Sequence, residues 1–150
     1  MDALILFLHS WGRWLVLLAA AFAVIQWLRP GNSKVDRISR LALVAMVDLE
    51  TTLGLVRWVK SYLPLGQQPV STLMKNAGSR FFFVEHPMMM VLALVALHVG
   101  SVRARAAADE ATARRAWGIS LAVGLLLILA AIPWPFRAAL GRSWFMPWPG

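Results

Sequence analysis

Apolar residues in this chain come in long, nearly unbroken runs separated by short polar segments. Four such runs stand out, at about residues 3–28, 41–62, 81–102 and 116–136. Each supplies the roughly 20 mostly apolar residues that a helix needs to cross a bilayer. The breaks between them are turn-forming: Arg29-Pro30-Gly31-Asn32 closes the first run, and Pro64 and Gly66 follow the second. The pattern predicts an all-α fold, a four-transmembrane-helix bundle that makes residues 1–150 a single integral membrane domain. The first run starts behind Asp2 rather than behind basic residues and is too long for a signal-peptide core, so it is expected to be a retained span. The tail, residues 137–150, is too short to cross and is expected to lie as an amphipathic segment on the membrane surface. The loop at 63–79, with Pro64, Gly66, Pro69 and Gly78, is expected to fold over the bundle on the same side.

Charge adds an orientation. Arg29, Lys34, Arg37 and Arg40 follow the first run, against Asp36; Arg103, Arg105, Arg114 and Arg115 follow the third, against Asp109 and Glu110. The intervening loop has Lys75 and Arg80, with Lys60 at its edge. The positive-inside rule puts the two richer loops in the cytoplasm and both termini on the outer, periplasmic side. Trp11, Trp14, Trp58, Tyr62, Trp134, Trp144 and Trp148 then fall at outer ends, and Trp27 and Trp117 at inner ends, where amphipathic rings favour the headgroup level.

Composition supports the lipid bilayer as the first partner. The chain is 59% hydrophobic and 15% charged, a surplus of apolar surface that one small core cannot absorb. The net charge of +8 does not point to nucleic acid, because Lys and Arg sit between apolar runs and not along one face. With no Cys, the chain has no disulfide, thiolate nucleophile or Cys-ligated metal.

The candidate chemistry lies in the ionisable residues within or beside the runs: His9, Arg13, Asp48, Glu50, Arg57, Glu85, His86 and His98. Such groups are costly at bilayer depth, so they tend to face the bundle interior and to have partners. His9 and Arg13 share a helix face, as do Glu50 and Arg57, whereas Asp48 points away from Glu50. His9 and His86 each lie about six residues into a run that starts on the same side, so their imidazoles are level in depth. A pair of His from facing helices is how bundles hold haem iron. His98 lies about 18 Å further along the third run than His86, too far to share a metal with it. Asp48 is level with His98, and the two read as a hydrogen-bonded or proton-carrying couple, with Glu50 and Arg57 nearby. The plainer readings are interhelical ion pairs (Arg13 with Glu85, Arg57 with Glu50), core-filling Met88, Met89 and Met90, and close-packing points at Gly54, Gly100, Gly118 and Gly124. Pro87 leaves a carbonyl free on the preceding turn. No glycine-rich phosphate loop, HExxH or GxSxG motif is present.

Five stretches carry a resemblance: LHSWGRW (8–14), DLETTLGL (48–55), RFFFVEHPMMM (80–90), LLILAAIPWPF (126–136) and GRSWF (141–145). In order and over nearly the whole chain, they resemble a family of small, four-span bacterial membrane proteins commonly labelled cytochrome b-like. The resemblance implies a bacterial cytoplasmic (inner) membrane protein with possible haem b, and puts His9, Arg13, Glu85 and His86 on the family's recurrent polar positions. Asp48 departs from it, standing where many members have His, so no haem on the second run is implied.

Two functions compete. The first is a membrane redox subunit, a b-type haem-binding electron carrier with His9 and His86 as iron ligands and Arg13 balancing a propionate or a carboxylate. The second is a cofactor-free structural or assembly subunit of a larger respiratory or photosynthetic membrane complex. Both imply other membrane protein subunits as partners and no stand-alone catalysis. A proton-coupled carrier using Asp48, Glu50 and His98 is a weaker third, because no inverted repeat is visible.

Overall fold

A computed structural model describes residues 2–29, 33–61, 64 and 67–149. The breaker residues Pro30, Gly31 and Asn32, the belt residue Tyr62, and Gly66 lie outside the described residues. The elements are helices α1 (Asp2–Leu28), α2 (Ser33–Ser61), α3 (Val70–Lys75) and α4 (Ala77–Arg80), a π-helical turn (Phe81–Glu85), then α5 (His86–Ala106) and α6 (Glu110–Ala131). No strand occurs among the described residues, so the fold is all-α.

Among the described residues, three helices, not four, are long and apolar enough to cross a membrane: Ala3–Leu28, Ala77–Ala106 (α4, the π turn and α5 as one helix) and Glu110–Ala131. This corrects the expectation of four transmembrane helices. The failing helix is α2, and the reason is charge. Every 18-residue stretch of it contains at least three of Lys34, Asp36, Arg37, Arg40, Asp48, Glu50, Arg57 and Lys60. A charge at mid-bilayer costs about 2.5–3.5 kcal/mol on insertion scales, more than a few Leu or Val return. The assignment of both termini to the outer side rested on an even number of crossings and falls with the fourth. Boundaries also shift. The third run becomes helical at Ala77, ahead of residue 81, and the fourth starts at Glu110 and stops at Ala131, short of residue 136.

α1, α2, α5 and α6 nonetheless pack as one unit, neighbouring each other in that cyclic order. Residues at helical spacing face inward: Val16, Ala20 and Ala23 from α1, Leu43 and Val47 from α2, Ala93 and Leu97 from α5, and Leu121 and Ile128 from α6. The outer surface is apolar as well, with Leu15, Leu18, Val91, Val95 and Leu126 exposed. An apolar exterior around an apolar core is what a lipid environment permits and water penalises.

Local chemistry sets the ends. Asp109 caps α6, its carboxylate accepting from the Thr112 backbone N–H at 2.8 Å and the Thr112 hydroxyl at 2.7 Å. Those bonds, the backbone one first, hold the Asp109 carboxyl below the usual carboxylate range. The tail is not helical. It runs back along the first half of α1, where Trp11 Nε1 donates to the Met146 carbonyl at 3.0 Å and the Phe7 and Trp148 rings meet edge to face at 5.1 Å.

Candidate functional site

Prolines at the end of α6 create the first half of the site. In a continuing helix, the Leu129 and Ala131 carbonyls would accept from residues 133 and 135, but both are Pro and have no N–H. Side chains supply what the backbone lacks. Trp134 Nε1 donates to the Leu129 carbonyl at 2.9 Å, and Arg137 Nη1 to the Ala130 carbonyl at 2.9 Å. His86 Nδ1 lies 2.8 Å from the Ala131 carbonyl. A carbonyl can only accept, so Nδ1 carries the proton and Nε2 keeps its lone pair.

Pro87 aims His86. It deprives the Phe83 carbonyl of its partner one turn back, the chain widens into the π turn just before it, and Trp58 Nε1 of α2 fills the vacancy at 2.9 Å. The freed carbonyl expected from the sequence is therefore that of Phe83, and its partner comes from another helix.

The second half is an interlock of α1 and α2 built on two glycines. A Cβ on Gly12 would lie 2.0 Å from Glu50 Oε2, and one on Gly54 would lie 3.0 Å from His9 Cε1. Each helix lacks a side chain where the other inserts one. The Glu50 carboxylate, 5% exposed, lies against the α1 backbone, and its Oε1 stands 3.0 Å from His9 Nδ1. The contact is at ion-pair distance but is not aligned as a hydrogen bond. It occupies the Nδ1 edge of His9, as Ala131 occupies that of His86.

Across the bundle diagonal, from α1 to α5, the two imidazoles come together with ring centroids 6.1 Å apart and planes at 84°. They line a cavity of about 180 Å³. Its walls are mostly apolar, with Val16, Phe82, Met90 and Ile128, and three cations (Arg13, Arg57 and Arg142) also line it.

The other expected residues are placed differently. Arg13 does not pair with Glu85. Its guanidinium donates to the tail carbonyls of Ser143, at 2.7 Å, and Trp144. Glu85 pairs with Arg80 Nε at 2.6 Å and is not a cavity residue. Asp48 Oδ1 and His98 Nε2 do meet, at 2.8 Å, but on the half-exposed flank between α2 and α5, away from the cavity. Glu50 faces His9, and it shares the cavity wall with Arg57. Gly12, Trp58, Ala131 and Arg142 were missed. Pro135, four residues after Ala131, was the signal for that carbonyl; nothing local signals the other three.

Among the described residues, no group of three or more His, Asp or Glu converges as a metal cluster. The two imidazoles and the Glu50 carboxylate line the same cavity. Compared with family models, curated proteins and solved structures, the chain matches none.

Proposed function

We propose that this protein is a b-type cytochrome-like redox subunit of the bacterial cytoplasmic membrane, in which His9 and His86 would hold one haem. The observation that carries this reading is the meeting of the two imidazoles at one cavity, with the His86 Nδ1 donating to the Ala131 carbonyl and the His9 Nδ1 lying 3.0 Å from Glu50. Metal-ligating His usually has its other nitrogen held as that of His86 is, which fixes tautomer and orientation. The two rings, 6.1 Å apart between centroids, line the same cavity. The resemblance to the cytochrome b-like family bears in the same direction.

Haem would supply one-electron chemistry. The chain's residues bind and orient. Glu50 and Ala131 fix the ligand rings, the apolar wall excludes water, and Arg57 and Arg142 offer charge to carboxylate groups. Electron partners would be other subunits of the membrane.

The test is a reduced-minus-oxidised absorption spectrum of protein purified from haem-supplemented cells, with a pyridine-haem assay. The expected result is one haem per chain with a low-spin spectrum, lost in both His9→Ala and His86→Ala and kept in His98→Ala. No Soret or α band in the folded protein, or a low-spin spectrum that survives His86→Ala, would overturn the proposal.

A further inference from the structure

A second cavity of about 180 Å³ lies at the opposite end of the bundle and shares no lining residue with the first. It opens where the three membrane-crossing helices end: α1 at Leu28, α5 at Ala106 and α6 at its start, Glu110. Two tryptophans wall it. Trp27 and Arg114 clamp each other, with Trp27 Nε1 donating to the Arg114 carbonyl at 3.2 Å and Arg114 Nη2 to the Trp27 carbonyl at 2.6 Å. Gly118 makes room for this clamp, since a Cβ there would lie 2.6 Å from Trp27 Nε1. The Arg40 guanidinium lies 6.0 Å from the Trp117 ring centre.

These side chains are positioned, yet three of their polar atoms are buried without a partner: Arg40 Nε, Arg114 Nη1 and Asp36 Oδ1. An orphaned buried polar atom is costly, and its usual explanation is an unseen ion, ligand or water. Three in one cavity, two cationic donors and one anionic acceptor, describe a molecule that accepts from Arg and donates to Asp. Arg37 and Arg105 also act on Arg40 with like charge, so the basic groups outweigh Asp36 and Glu110.

We propose that this cavity binds the headgroup of an anionic, hydroxyl-bearing phospholipid, its phosphodiester on Arg40 and Arg114 and a headgroup hydroxyl donating to Asp36. The placement fits, because Trp27 and Trp117 mark the depth at which headgroups lie. Basic pockets between crossing helices are a recurrent form of lipid site. Free phosphate shares the phosphate chemistry and carries its own hydroxyl, but it offers no acyl chains to the apolar flank.

The experiment is native mass spectrometry of the detergent-purified protein, titrated with phosphatidylglycerol, with phosphatidylcholine and with inorganic phosphate. One phosphatidylglycerol should be retained, about tenfold more tightly than phosphatidylcholine, as expected for loss of one charge-assisted hydrogen bond. Arg40→Gln should reduce that retention about tenfold. Arg115→Gln, which removes an exposed charge from the same end, should not. Arg40→Lys keeps the charge but not the Nε donor and should weaken retention if Arg40→Gln fails to fold. Equal retention of the two lipids, an unchanged Arg40 variant, or saturation by inorganic phosphate at the same concentrations would each overturn the proposal.

Discussion

At the residue scale, a missing side chain does as much as a charged one. Gly12 lets Glu50 reach the α1 backbone, and Glu50 holds His9. Gly12→Ala sets two effects against each other. Ala gains about 1 kcal/mol of helix propensity over Gly. Its Cβ needs space that Glu50 Oε2 occupies, 2.0 Å away, and overpacking a filled interior costs about 1–3 kcal/mol. An exposed Glu would swing aside at little cost; this one is 5% exposed, and the space beside it is the cavity it lines, so it yields only by moving away from His9. The expected net is destabilisation by about 1 kcal/mol or more in detergent unfolding, together with loss of the His9–Glu50 contact; an equal or raised stability would show that Glu50 is not confined. Depth arithmetic made part of this site legible. His9 and His86 are level, as are Asp48 and His98, and each pair meets. What depth cannot provide is the rotation of each helix and the order of neighbours. Arg13 was therefore grouped with Glu85 when it is bound to the tail, and the approach of Glu50 to His9 was not legible.

At the scale of elements, proline placement accounts for most of the architecture that residue lists leave out. Pro87 orphans the Phe83 carbonyl, and Trp58 satisfies it from α2. The two changes should therefore be coupled. Trp58→Phe removes the donor from a part-buried carbonyl and should cost about 1 kcal/mol. Adding Pro87→Ala returns a backbone N–H to the helix, so the double variant should lose less than the sum of the singles. A double-mutant cycle from unfolding midpoints reads the interaction directly, and strict additivity would mean that the indole bond and the proline are independent. The π turn itself was not legible, because a Phe-rich run reads the same in α and π geometry. Nor was the status of α2: its 41–62 run looks like a span by length, but Asp48, Glu50 and Arg57 charge its middle too heavily for hydrocarbon. The helix that fails as a span is also the one that supplies the site's carboxylate.

At the scale of the molecule, the ring of four long helices is unevenly closed. α1 with α2 and α5 with α6 make broad contacts, and the seam between α1 and α6 is the slightest. The tail that leaves α6 bridges this seam. Arg137 and Trp134 tie its first turn to the α6 carbonyls, and beyond Arg142 the backbone accepts from Arg13, Trp11 and Trp14 of α1. Trp144 and Phe145 stack on Trp14 at centroid distances of 6.2 and 5.7 Å. A chain truncated after Arg142 should keep its helices, since none lies beyond that point, but lose the bridge. With hydrogen bonds at about 1 kcal/mol each and ring pairs at about 0.5–1.5, the loss is on the order of 5 kcal/mol. At about 2–4 °C per kcal/mol for a chain of this size, the unfolding midpoint should fall by roughly 10–20 °C with helical circular dichroism unchanged beforehand. The seam opens beside His9, so diethyl pyrocarbonate should modify His9 faster in the truncated protein while the already exposed His98 reacts as before. A truncated chain with the same midpoint and the same His9 reactivity would reduce the tail to a surface attachment and leave the closure of the ring to α1 and α6 alone.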